Sequence, residues 1–437
     1  MSDEPAVASP WRRAFGREGR RPRGLWRHRD FLRLWSAQGI SAIGSQITLL
    51  ALPLTAILVL EASAFEVALL ATAASLPNLL LGIPVGVWVD RVRRRPVMIG
   101  ADVGRAATLA SLPAAYGLGV LTLPHLYAVA VVSGSLSVCF ELASQAYLPS
   151  IVNRDQLIEA NAKFEATRVV AWAAGPGAGG GLVSLVTAPV ALLADAVSFI
   201  ASAGLIASVS KRRETAQLTS GDARSKWSDL REGAGYVLND RYQRPLLLAL
   251  ALANLALGLV WSIVIVYAVR ELGLTAAAVG VALSLGQLGG FAGAALAGRL
   301  AKIAGVGRVL VAAFFLFGPA TLFLAGAPAS AAILFLVLGL TLENLARALY
   351  GVSATSVRQA LVPHRLQARV TGFNTTVGVG LFPLGAAIGG ALAAAAGLRG
   401  AMLLAAFVSF LPFIPVAASP IRSLRDLPRL DAGQHHT

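Results

Sequence analysis

Apolar runs of about twenty residues recur from one end of the chain to the other, separated by short polar gaps. Twelve such runs are read, at about 33–59, 65–89, 96–118, 124–148, 162–186, 188–208, 245–269, 276–300, 306–326, 329–357, 368–396 and 399–419. A helix of that length spans a hydrocarbon layer about 30 Å thick, and in lipid a helix satisfies its own backbone polar groups. The pattern predicts an all-α membrane protein of twelve transmembrane helices. The boundaries near 186–190 and 396–399 rest on the shortest polar interruptions.

The polar gaps alternate in charge. Of 37 lysines and arginines, 33 fall in the two terminal segments and in every second gap. Only Arg270 and Arg399 fall in the opposite gaps, and Arg105 and Arg347 fall inside apolar runs. Basic loops stay on the cytoplasmic side, so both termini are expected there, in a plasma membrane. An odd number of spans would scramble the alternation.

Composition agrees. The chain is 56% hydrophobic and 14% charged, against about a quarter charged for a soluble protein. The net charge of +15 would point to nucleic acid in a soluble protein, but its alternation assigns it to membrane topology, and no nucleic-acid partner is expected. The single cysteine, Cys139, excludes an internal disulfide and reads as a packed bystander. The alanine and arginine bias points to a GC-rich bacterial genome.

The expected organisation has five parts. Residues 1–32 form a disordered basic cytoplasmic tail touching anionic lipid. Residues 33–210 form an N-terminal six-helix bundle, and 211–244 a cytoplasmic linker. Residues 245–419 form a C-terminal six-helix bundle, and 420–437 a cytoplasmic tail. Within the linker, Trp227, Leu230, Ala234 and Val237 share one helical face, the pattern of an amphipathic helix on the membrane or under the bundle. The halves echo each other. Gln145–Ala–Tyr–Leu–Pro149 returns as Gln359–Ala–Leu–Val–Pro363, and Gly175–Pro176 is loosely echoed at Pro383–Gly390. Such repeats are typical of secondary transporters, whose substrate site lies between the halves.

Gly86-x-x-x-Asp90-Arg91-x-x-Arg94-Arg95 interrupts the apolar pattern between the second and third runs. It resembles the loop signature of the major facilitator superfamily, with Arg93 where the usual form has glycine. The resemblance implies a latch on the cytoplasmic side. Asp90 would meet the positive N-terminus of a helix from the other half, and Glu141 would pair with Arg94 or Arg95. An ordinary positive-inside loop is the plainer reading. Gly175-Pro176-x-x-Gly179-Gly180 resembles the superfamily's antiporter motif, with Ala162 and Ala171 in place of its two earlier glycines. Its plainer reading is a Gly-rich packing face. Leu148–Val152, Leu157–Ala162 and Pro363–Val370 resemble twelve-span exporters that include macrolide efflux proteins and the enterobactin exporter.

Charges inside apolar runs are costly and tend to be functional. Asp102 and Arg105 are placed with the loop network. Asp195 reads either as a carboxylate that gains and loses a proton or as a helix-packing residue. Glu343 and Arg347, four apart on one helix, neutralise each other and either face the cavity or form a self-satisfied pair. The superfamily resemblance places the first, fourth, seventh and tenth spans around the cavity. On that basis Gln38, Gln46, Glu141, Asn254, Trp261, Glu343 and Arg347 become candidates for substrate or proton handling, with interhelical hydrogen bonding as the alternative for each uncharged one.

No Gly-Lys-Ser/Thr phosphate loop, His-Glu-x-x-His or aspartate-rich diphosphate site occurs, so no cofactor or metal is assigned. The expected function is proton-coupled export of a small amphipathic compound by a monomeric transporter working by alternating access. An uptake or lipid-moving facilitator is the alternative within transport, and a lipid-modifying enzyme the alternative outside it.

Overall fold

Backbone groups in a hydrocarbon layer must bond to each other, and the chain meets that demand with helices. The computed structural model describes residues 25–210 and 223–425, and every regular element among them is helical. The first six are α1 (Arg29–Leu58), α2 (Ala64–Val89), α3 (Arg94–Gly117), α4 (Leu123–Ile151), α5 (Leu157–Leu185) and α6 (Ala188–Ala207). After α7 (Ala223–Asn239) come α8 (Gln243–Val266), α9 (Ala276–Gly286), α10 (Leu288–Ala304) and α11 (Val306–Ala325). The chain closes with α12 (Ala332–Leu361), α13 (Gln367–Phe410) and α14 (Phe413–Ala417).

Nine helical stretches among the described residues are long and apolar enough to cross a membrane. Those of α3 and α5 are not among them. Charge at Asp102 and Arg105 dilutes the first, and the glycines and proline of 175–181 dilute the second. Leu80, Val197 and Phe407 are exposed on the outer faces, as lipid-facing side chains require.

α13 is longer than any single run predicted. It carries Gly397 at φ 73°, a left-handed conformation that glycine adopts without strain. Beyond it the chain descends alongside α11. Arg399 donates to the Ala327 carbonyl at 2.7 Å, Thr321 to Ser409 at 3.1 Å, and Gly307 N to the Leu424 carbonyl at 3.0 Å.

The termini of the bundle are more ordered than the sequence indicated. Leu25 is fully buried, and Trp26 stacks edge-on against Trp35 with ring centres 5.4 Å apart. His28 caps α1 by accepting from Phe31 N at 3.1 Å. Residues 25–32, placed in the expected tail, are therefore packed against the first helices. At the other end Ile421 is fully buried, so packing continues past residue 419. The remaining tail readings, and the linker reading over 211–222, lie outside the described residues.

The apolar core is divided unevenly. At the end remote from the basic loops, one cluster contains Leu50, Leu54, Val183 and Leu192 together with Ile263, Val266, Val279 and Leu340. At the basic end, Phe31, Met98, Tyr147 and Ile206 belong to one cluster, and Leu246, Phe314, Val357 and Ile421 to a separate one. The helices before and after α7 thus share a core at the far end and keep separate cores at the basic end.

Candidate functional site

Backbone contact between α5 and α9 closes the far end. A side chain on Gly180 would overlap the Ala276 carbonyl, and one on Gly280 would overlap the Pro176 carbonyl. Ser284 Oγ accepts from Gly177 N at 2.9 Å, and Ser184 Oγ from Ala277 N at 3.2 Å. Absence of side chains lets two helices touch along their backbones. The other motif glycines face α1. Gln46 fills the space a side chain at Gly175 would need, and a Cβ on Gly179 would come to 3.1 Å from the Ile47 Cα. Gln46 therefore packs against the motif. A second seam joins α2 to α13, where Gly390 meets Phe65 and Ala68, and Gly380 meets Leu79.

A cavity of about 620 Å³ lies at the basic end between α1, α4 and α5. Gln38, Ser144, Asn161, Thr167 and Arg168 line it. The Gln38 amide donates to Ser144 Oγ, which joins α1 to α4 at the cavity wall. Thr167 also accepts from the Trp35 indole at 2.9 Å. Arg168 and Glu165 pair at 2.6 Å with both side chains more than half exposed, so the pair adds little stability.

The other half contributes an ionic site. The Trp261 indole on α8 donates to Glu343 Oε1 at 2.9 Å, and Arg347 donates to the same oxygen at 2.7 Å. The Glu343 side chain is 3% exposed, but that of Arg347 is 41% exposed. The carboxylate is held from two sides while the guanidinium reaches open space. Asn254 is spent on its own helix, donating to the Leu250 carbonyl at 3.0 Å.

Asp102 and Arg105 do not join the loop network. They pair with each other, and Arg105 lies between the rings of Phe140 and Phe199, 4.6 and 4.0 Å from the ring centres. Asp195, 1% exposed, accepts from Thr48 at 2.5 Å and from Ser198 at 2.9 Å.

At the basic loop Asp90 is the C-cap of α2, its N–H bonded to the Gly86 carbonyl at 3.3 Å. Arg91 and Arg94 follow in the turn and at the start of α3. The expected ion pair of Glu141 with Arg94 or Arg95 does not form. Glu141 instead accepts from Gln145 at 3.3 Å. Arg95 donates to the Ile206 and Ala207 carbonyls, and Arg33 to the Ser208 carbonyl at 2.6 Å. Both arginines serve the carbonyl-rich C-terminus of α6, where positive charge is favoured.

α7 lies under the later helices. Val237 is fully buried in a cluster with Leu247, Val362, Leu366 and Val370. Gly233 meets the Arg369 carbonyl, with a Cβ there only 2.6 Å away, and Glu232 pairs with the Arg369 guanidinium. Tyr236 donates to the Leu361 carbonyl at 3.3 Å. Burial, reinforced by the Asp240 carboxylate, pushes the Tyr236 hydroxyl above its ordinary range, which keeps it a donor. Ala234 is half-buried; the side chains of Trp227 and Leu230 lie outside those described.

Several contributors carried no signal in the sequence. Ser144, Thr48, Ser284 and Gly280 are unremarkable in an apolar helix, and only their partners across a seam give them a role.

Stacked apolar helices with a far-end seam of glycines and a basic-end cavity define a multi-pass membrane protein. The family described as transmembrane secretion effector, within the major facilitator superfamily, matches residues 24–433, and the chain belongs to it. The uncharacterized MFS-type transporter YfiS of Bacillus subtilis (strain 168) is 27% identical over 187 residues, 41% of this chain; the match spans 42% of that relative's length. A mutant of the nucleoside transporter NupG superposes with a TM-score of 0.74 at 11% identity, covering 89% of this chain and 99% of that one. A bacterial homologue of the iron transporter ferroportin, in its inward-facing state, gives 0.68 at 18% identity, with 89% and 99% covered. At these identities the likeness is one of fold. The family and these neighbours are transporters, not enzymes.

Proposed function

We propose that the protein is a proton-coupled exporter, an antiporter for a small amphipathic compound such as a drug, macrolide or siderophore. It works as a monomer in the plasma membrane by alternating access, with both termini cytoplasmic. The observation that carries the reading is the Gly180–Gly280 contact. The partial antiporter motif supplies the surface on which α5 meets a helix from beyond the linker. The secretion named in the family's description supports outward transport.

Twelve spans in two six-helix bundles accord with this reading. The nine apolar stretches become twelve when α3 and α5 are added and the longest stretch is divided at Gly397. Bundle boundaries at 33–210 and 245–419 accord with the separate basic-end cores. The shared far-end core and the basic-end cavity support a state open to the cytoplasm. Substrate enters past Gln38, Ser144 and Asn161 and meets Trp261, Glu343 and Arg347 across the cleft. Asp90, with Gly86, Arg91 and Arg94, latches the cytoplasmic side when the cleft closes, and the outer-leaflet contacts of Pro176, Gly177 and Gly180 with α9 part.

The test is flux of ethidium and erythromycin in inverted vesicles under an imposed pH gradient. Accumulation that collapses with a protonophore supports the reading. Flux of either compound that ignores the gradient, or none with a broad set of amphipathic compounds, removes it.

A further inference from the structure

We infer that Asp195 is the proton-carrying carboxylate of this transporter, held in a buried Asp102–Arg105–Asp195 cluster outside the substrate cavity. The inference rests on the proton-coupled reading above and assigns its proton to one site.

Charge balance is the first argument. Asp102, Arg105 and Asp195 are 0%, 5% and 1% exposed; Arg105 lies against the rings of Phe140 and Phe199, and Asp195 is within electrostatic reach of both Arg105 and Asp102. Two carboxylates against one guanidinium leave one negative charge in an apolar interior. An uncompensated buried charge is expensive, and a proton removes it. Among the described residues, no ionisable group other than Asp102 and Arg105 faces Asp195. From α3 come Asp102 and Arg105. α1 offers only Thr48 at that level, because Asp30 and Arg33 meet residues 208–210 at the other end of α6. The charged residues of α5, from Glu159 to Arg168, lie in its first turns at the basic end.

Hydroxyl bookkeeping chooses between the two acids. Asp102 already has a guanidinium partner. Ser198 Oγ lies 2.8 Å from the Asp195 carbonyl and 2.9 Å from Asp195 Oδ1. A hydroxyl has one proton to donate, and both of those oxygens are acceptors when the acid is ionised. With a proton on Oδ1 the chain is complete: Asp195 donates to Ser198, and Ser198 donates to the carbonyl. Loss of that proton leaves Ser198 with one donor for two acceptors. Nearby, Ser202 lies against the Asp102 carboxylate and Arg105 Nε is buried without a hydrogen-bond partner among the described residues, so the cluster has polar capacity to rearrange when the charge changes.

The site is placed to move α1. A side chain on Gly44 would overlap both Asp195 and Ser198, so α1 and α6 are in direct contact there. The same α1 presents Gln38 to the cavity and Gln46 to the antiporter motif. Proton transfer at Asp195 changes how α6 holds α1, and α1 carries the change to the cavity and the α5–α9 seam.

Infrared difference spectra of the purified full chain in lipid, between mildly alkaline and mildly acidic buffer, test this without a known substrate. A protonated-carboxyl band is expected in the parent protein, lost in Asp195→Asn and kept in Glu343→Gln. Should Asp195→Asn fold poorly, Ser198→Ala is expected to shift the band, since it removes a hydrogen bond to that carboxyl. A band unchanged in these α6 variants, or lost only in Glu343→Gln, overturns the assignment. Vesicle flux separates the two readings. Gradient-driven ethidium flux with an unchanged band overturns the Asp195 site and leaves proton coupling standing. Band loss in Asp195→Asn without gradient-driven flux keeps the proton site and removes the coupling.

Discussion

Gly180 on α5 and Gly280 on α9 lie backbone to backbone: a Cβ on Gly280 would come to 3.0 Å from the Gly180 Cα. No side chain fits between them. The two helices come from opposite sides of the α7 linker, so this contact sets how tightly the far end closes.

Gly180→Val is expected to prop that seam open. Overpacking of this kind costs about 1–3 kcal/mol, enough to shift a balanced open–closed equilibrium strongly. Distances between spin labels at 186 and 274 check it. A distribution identical to that of the parent protein would contradict the closing role.

Trp261 and Arg347 share one oxygen of a buried carboxylate, which makes their effects unequal and non-additive. Arg347→Gln strips the charged partner from Glu343 and is expected to destabilise the protein by about 2 kcal/mol. Adding Glu343→Gln should recover most of that loss, because no buried charge is then left without its partner. Thermal unfolding of the purified single and double variants in detergent reads both effects.

Asp90→Asn keeps the α2 cap backbone and replaces the carboxylate with a neutral amide of the same shape. Expression and melting temperature should stay near parental values, while flux falls by roughly tenfold, equivalent to about 1.4 kcal/mol on the limiting step. Parental flux in a well-expressed variant would eliminate the latch.

α7 docks through Val237 more than through its ion pair. Val237→Ala removes fully buried methyl groups and should weaken docking by about 2 kcal/mol. Glu232→Ala breaks a pair that is about half exposed and should cost under about 1 kcal/mol. Limited proteolysis within the linker ranks the two. Faster cleavage in Glu232→Ala than in Val237→Ala would reverse the assignment.

What the chain by itself determined was the helical membrane fold, because a run of apolar residues of span length has few other ways to satisfy its backbone in lipid. The polar break at 211–244, the alternation of basic gaps and the rarity of Asp90, Asp195, Glu343 and the 175–180 glycines within an apolar pattern are features of the sequence itself. Glu343 and Arg347 were paired correctly because helical spacing puts residues four apart on one face. Local period stops being informative where partners come from different helices. It did not reveal that Trp261 serves Glu343, that Arg95 caps α6 instead of meeting Glu141, or that Gln46 packs on Gly175. Those choices belong to tertiary structure. In an apolar bundle every helix face is greasy, so only the three-dimensional packing decides which rare polar group finds which partner.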